Sequence, residues 1–157
     1  MAQPELNTAI RKMIQVELDA MHYYLKAIES MQDEGAIFHF TLLAEEEREH
    51  ARSFYEIYPG DDLPPFETIL SESTANDTII KSMDIGLVAR LDERQALQLA
   101  MKLEKELEGN LRKMASELKS TEARAVIEKN AESTLSHYEM IASDYARLYE
   151  DTEDNFS

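Results

Sequence analysis

The chain has 157 residues, with 32 acidic and 16 basic side chains, four Gly, four Pro and no Cys, and its 43% hydrophobic share supports a sizeable core in one domain. A net charge of −16 without any Lys/Arg cluster turns away nucleic acid and disfavours an anionic membrane surface. The absence of Cys excludes disulfides, thiol catalysis, thiolate metal sites and iron–sulfur ligation.

The opening MAQPELNTAIRK holds no apolar run of signal-peptide length, and no later stretch approaches the roughly 20 apolar residues of a spanning helix, so a soluble cytoplasmic protein is expected. Apolar residues at Ile10, Ile14, Met21, Tyr24 and Ile28 step by three, four and seven and predict a first helix over 5–31, ended by Asp33-Glu34-Gly35. A second helix is expected over 36–57 and stops at Tyr58-Pro59-Gly60. From 58 to 91 the chain reads as a long, irregular crossover, with Pro64-Pro65, a Ser/Thr/Asn/Asp cluster over 71–78 and a short helix near 78–83. Asp92 and Gln95 form a capping-box pair that opens a third helix over 92–119, and Ser120 or Thr121 caps a fourth over 121–149, followed by an acidic tail over 150–157. Two short links and one long one make an all-α, antiparallel four-helix bundle of two hairpins joined by a crossover.

Sliding the chain by 87 residues superposes the hairpins, setting Glu17 on Glu104, Ala44 on Ala131, Glu47 on Thr134 and His50 on His137. These polar residues interrupt apolar stripes. Glu17 lies between Ile14 and Met21, Glu47 and His50 between Leu43 and Phe54, Glu104 between Met101 and Leu111, and His137 between Ile127 and Ile141. A spacing of three puts Glu47 and His50 about 60° apart on one helix, facing the same space. Three core carboxylates with no basic partner would each cost several kcal/mol, on the order of a buried ion, unless a cation compensates them. Oxygen and imidazole donors without sulfur suit iron or manganese, with zinc as an alternative. Taken singly, each His reads as a structural, hydrogen-bonded histidine; taken together at mirrored positions with the three Glu, they read as metal ligands. His22 and His39 lie off the stripes and read as surface or interface residues. Of the run Glu45-Glu46-Glu47, only Glu47 has the inward phase.

The pattern resembles the ferritin-like di-iron carboxylate family, and within it the rubrerythrin-like group without a rubredoxin domain. That family places a lone Glu on each of two helices and Glu-x-x-His on each of the other two. Glu17 in VELDAMHYY, Glu47 and His50 in AEEEREHARSF, and Glu104 in AMKLEKELEGN match it, while the fourth element reads Thr134-Leu135-Ser136-His137, with Thr in place of the second motif Glu. The resemblance implies two iron ions held by Glu17, Glu47, His50, Glu104 and His137, with Glu108, one turn beyond Glu104, as the carboxylate that substitutes for the one missing at 134. It implies an oxidase or peroxidase acting on oxygen or hydrogen peroxide, with Tyr24 as a hydrogen-bond donor beside the metals, and a homodimer. Without Cys, electrons would have to come from an external donor. Two other readings follow from the same residues: iron binding and ferroxidase storage, and a non-catalytic bundle whose metal site is weakened by Thr134.

Overall fold

The computed structural model describes residues 2–76 and 91–150. Helix α1 spans Gln3–Ala27, with Pro4 in its first turn, and closes through a tight 3-10 turn over Ile28–Ser30. Helix α2 spans Glu34–Ile57, and its N-cap is Asp33, whose carboxylate accepts from the backbone N–H of Ala36 at 2.9 Å. The segment Asp33-Glu34-Gly35 therefore starts the second helix rather than ending the first. Gly35 fits there because an added Cβ would lie 3.2 Å from the Arg147 guanidinium and 3.3 Å from the Asp33 carboxylate.

A third helix, α3, covers Phe66–Asn76, inside what the sequence presents as an irregular crossover. The expected short helix at 78–83 and all but the first residue of the expected acidic tail over 150–157 lie outside the described residues. Phe66, Ile69, Leu70 and Ser73 recur at helical spacing, and this stripe docks α3 on the first hairpin. The Phe66 ring packs on Tyr55 and under the Arg52 guanidinium, and Ser73 meets His22 of α1 at 2.9 Å. Helix α4 spans Glu93–Glu117 behind the Asp92–Gln95 capping box, which is formed in both directions. Helix α5 spans Thr121–Tyr145, capped by Ser120, and ends in a wider turn over Ala146–Glu150.

These helices make an all-α antiparallel bundle. α1 packs on α2 and α4 on α5 as hairpins, and α2 meets α5 across the middle. Tyr23 and Tyr24 tie α1 to α4: the Tyr23 hydroxyl donates to the Ala96 carbonyl at 2.7 Å and that of Tyr24 to Glu104 at 2.5 Å. The core side chains include Ile10, Leu18, Phe40, Leu43, Phe54, Leu97, Leu111, Ile127 and Ile141, all fully buried. Each stabilises the fold by roughly 1.5–3 kcal/mol, which offsets the polar residues held midway along the bundle. Among the described residues no helix is long and apolar enough to cross a membrane.

Candidate metal centre

Each of the four long helices sends ligand-type side chains inward from about mid-length. Glu17 comes from α1 between Ile14 and Leu18, and Glu47 and His50 come from α2 between Leu43 and Phe54. Glu104 comes from α4 between Ala100 and Leu107, and His137 from α5 between Thr134 and Ile141. All five are buried, Glu17 and Glu47 completely. A helix places them there because each occupies a position on the apolar stripe, where the 3.6-residue period points side chains at the bundle axis.

The side chains converge in two triads, Glu17–Glu47–His50 and Glu47–Glu104–His137, with one donor atom from each residue lying within 4.8 Å of the others in its triad. Glu47 belongs to both. The Nδ1 of His50 lies 3.5 Å from Glu17 Oε2 and 3.7 Å from Glu47 Oε1. The Nδ1 of His137 lies 2.9 Å from Glu47 Oε1 and 3.8 Å from Glu104 Oε2. The imidazole rings stack, with centroids 5.3 Å apart and planes 8° from parallel. Both Nε2 atoms point the other way. That of His50 meets the Ser133 hydroxyl at 3.0 Å, and that of His137 meets the Glu46 carboxylate and, at 3.4 Å, Ser133.

Both oxygens of Glu17, both of Glu47, Oε2 of Glu104 and the Nδ1 atoms of His50 and His137 are buried and make no aligned hydrogen bond, even where a neighbour is as near as 2.9 Å. Among the described residues these are the buried polar side-chain atoms left without one. Such groups are strongly disfavoured in a protein interior. Their shared orientation toward one small volume, together with a donor set of carboxylate oxygens and imidazole nitrogens, fits a pair of divalent cations.

The electrostatics agree. Burial pushes Glu17 up to about 7 and, with the neighbouring Glu17 charge, Glu47 up to about 8; Glu104 rises to about 7 through burial and the Glu47 charge. Burial alone would lower His137, but Glu104 and Glu47 outweigh it and raise the ring to about 11. His50 is lowered, by burial against the pull of Glu47. Without a metal, the cluster keeps protons where cations would otherwise sit.

Other residues singled out in the sequence lie as follows. Tyr24 is fully buried, and its hydroxyl donates to Glu104 Oε1; burial and the charges of Glu104 and Glu47 hold its pKa well above the usual value. Thr134 faces inward with no exposure, but its hydroxyl donates to the carbonyl of Asn130 at 2.8 Å on its own helix. Glu108 is not brought into either triad. It pairs with Lys105 at 3.2 Å and Arg112 at 3.1 Å, two cations one helical turn away on either side; burial alone would raise its pKa, but the two cations together outweigh it and hold the carboxyl below the ordinary value. His22 is buried against Ser73 rather than at the surface, because α3 covers it. His39 pairs with Asp144 at 2.6 Å at the margin of the bundle. Glu46, which the helical phase assigns to solvent, reaches His137. Its acidic neighbours in sequence masked that contact, and only the packing of α2 on α5 reveals it.

A helical bundle whose middle holds three carboxylates and two imidazoles, arranged as two triads sharing one carboxylate, carries a carboxylate–histidine cluster of the kind that could hold metal. The chain matches the Rubrerythrin family over residues 8–145, nearly its whole length, and belongs to that family. No curated protein and no solved structure matches it significantly. Family and geometry together support a di-iron type of protein, with buried Glu/His groups able to hold metal.

Proposed function

We propose that the chain binds two iron ions and acts as an oxidase or peroxidase on oxygen or hydrogen peroxide. The observation that carries this reading is Glu47, fully buried, unsatisfied at both oxygens and common to both triads. A carboxylate in that situation is suited to bridging two cations. Iron would supply one-electron redox chemistry and an open coordination position.

The chain's own residues do the rest. Glu17, Glu47 and His50 would hold one ion, and Glu47, Glu104 and His137 the other. Tyr24 holds Oε1 of Glu104 through its hydroxyl, leaving Oε2 free for metal and keeping a proton beside the site. Leu43, Phe54, Leu97 and Leu111 are fully buried in the same core and exclude bulk water. Two divalent ions would bring four positive charges against three carboxylates, and the remaining positive charge favours an incoming anion or polarisable oxidant. These 157 residues contain no Cys to ligate an iron–sulfur or rubredoxin-type centre, so reducing equivalents would enter from a donor outside them.

Thr134 favours a second reading, in which the family scaffold persists with weakened metal affinity. Anaerobic titration with ferrous iron, metal counting, and near-ultraviolet absorbance after peroxide addition separate the two. About two ions per chain, oxidised by peroxide at a rate far above that of free ferrous iron, would support the oxidase or peroxidase reading. Two ions oxidised only by oxygen, with iron-rich particles accumulating, would indicate iron storage, and stoichiometry near zero would leave the non-catalytic bundle.

A further inference from the structure

The two stacked imidazoles end on different groups. His50 Nε2 meets a neutral hydroxyl, Ser133, whereas His137 Nε2 meets a carboxylate, Glu46. Glu46 adjoins Glu47 on α2, so a rotation of about 100° along the helix carries its side chain away from the axis and round to the outer edge of His137. The Glu46 side chain is 42% exposed while the His137 side chain is 2% exposed. The carboxylate thus stands at the boundary, one oxygen on a buried ring and the remainder toward solvent. Glu46 belongs to neither triad.

An imidazole that donates its Nδ1 lone pair to a metal carries its remaining proton on Nε2, and the acceptor there fixes both tautomer and ring orientation. A charged acceptor does this more strongly than a hydroxyl, and it also increases the electron donation of the ring. Here one ring has the charged acceptor and the other does not. We propose that Glu46 is a positioning residue acting through His137, the one ring its carboxylate touches, and that it makes the two metal positions unequal by strengthening chiefly the one formed by Glu47, Glu104 and His137. This inference rests on the metal-binding reading above. Removing such an outer partner costs about 10- to 100-fold in metal affinity, and the solvent around Glu46 places the effect near the lower end.

The test is calorimetric titration of the full chain with cobalt(II), alone and as Glu46→Gln. In the unsubstituted chain two ions should bind. Glu46→Gln should weaken one binding step by about tenfold and leave the other within about threefold. The position is assigned by repeating the substitution in two backgrounds. With His50→Ala, the remaining ion should still respond to Glu46→Gln; with His137→Ala, it should not. Should either background fail to fold, Glu17→Gln and Glu104→Gln, each of which removes a ligand from one triad alone, replace them and assign the position in the same way. Equal weakening of both steps, no weakening, or a response that survives His137→Ala would overturn the role of Glu46 while leaving the metal site standing. An unsubstituted chain that takes up no cobalt would overturn the site and this inference together.

Discussion

The two hairpins share a plan and differ in what they contribute. α1 and α2 supply Glu17, Glu47 and His50, a full triad from one half. α4 and α5 supply Glu104 and His137, and at the position equivalent to Glu47 they carry Thr134. The second half completes its triad only by borrowing Glu47 across the bundle. Thr134 is satisfied within its own helix by the Asn130 carbonyl, so the exchange leaves no orphaned hydroxyl. The difference teaches that losing one carboxylate from a symmetric pair need not leave a packing or hydrogen-bonding scar, but it concentrates the site's dependence on the surviving partner.

The largest expected effect breaks that dependence. Glu47→Gln should abolish stoichiometric binding at both positions, not one, as read by metal counting after dialysis, whereas Glu17→Gln should spare the His137 side. Thr134→Glu makes the hairpins alike. It should raise iron affinity and, in the metal-free chain, lower stability by several kcal/mol, on the order of an uncompensated buried ion; thermal melts with and without metal check both. If the metal-free melt is unchanged and affinity does not rise, residue 134 does not face the site.

A third prediction concerns pH. Glu17 and Glu104 are raised to about 7 and Glu47 to about 8, each from 4.5. Between those limits the folded chain keeps protons that the unfolded chain has released, so stability falls as pH rises. His137, raised from 6.5 to about 11, acts in the same direction above neutrality. His50, lowered, opposes the trend only below 6.5. Metal-free protein should therefore have a lower urea midpoint at pH 8 than at pH 5.5, with an unfolding free energy smaller by on the order of a few kcal/mol, and divalent metal should reverse the trend because it requires deprotonated ligands.

Smaller effects remain. Tyr24→Phe removes the hydrogen bond to Glu104 and should cost about 1 kcal/mol of stability while slowing peroxide turnover more than it changes metal affinity. Ser73→Ala should cost about as much by taking the hydroxyl from buried His22, and urea midpoints would register it. That bond braces the first hairpin, on which α3 docks.

How much of this was legible in the sequence follows from helical phase. Glu17, Glu47, Glu104, His50 and His137 stood out because each breaks an apolar stripe, and a stripe fixes a side chain's direction to within a helical turn. The capping box at Asp92 was equally readable, being a local contact. What phase does not contain is the neighbour on the next helix. α3 was hidden because Ser, Thr and Asn over 71–76 have loop-forming tendencies that the Phe66, Ile69 and Leu70 contacts override. His22 looked peripheral because its cover is α3. Glu108 has a favourable angle, but Lys105 and Arg112 capture it first, an i,i+3 and i,i+4 competition visible in the sequence once both cations are counted. Gly35 resembled a stop signal although Asp33 two residues earlier is a stronger start signal.

The Asp33 carboxylate does more than open α2. It also holds the Arg147 guanidinium at 2.7 Å, and the backbone N–H groups of Gln32 and Asp33 both reach Glu93 at 2.7 Å. The loop between the first two helices is thus fastened to the start of the third long helix and to the end of the fourth, across sequence gaps of 60 and 114 residues. Hairpin contacts are local and form quickly; contacts this distant in sequence form late, after the halves have met. The fastening is therefore expected to act on the lifetime of the fold rather than on the rate at which it forms. Removing its Arg147 half with Arg147→Ala, which leaves the Asp33 cap of α2 in place, should leave the refolding rate nearly unchanged and accelerate unfolding, so that the lifetime of the assembled ligand cluster depends on the end of the bundle as well as on its centre.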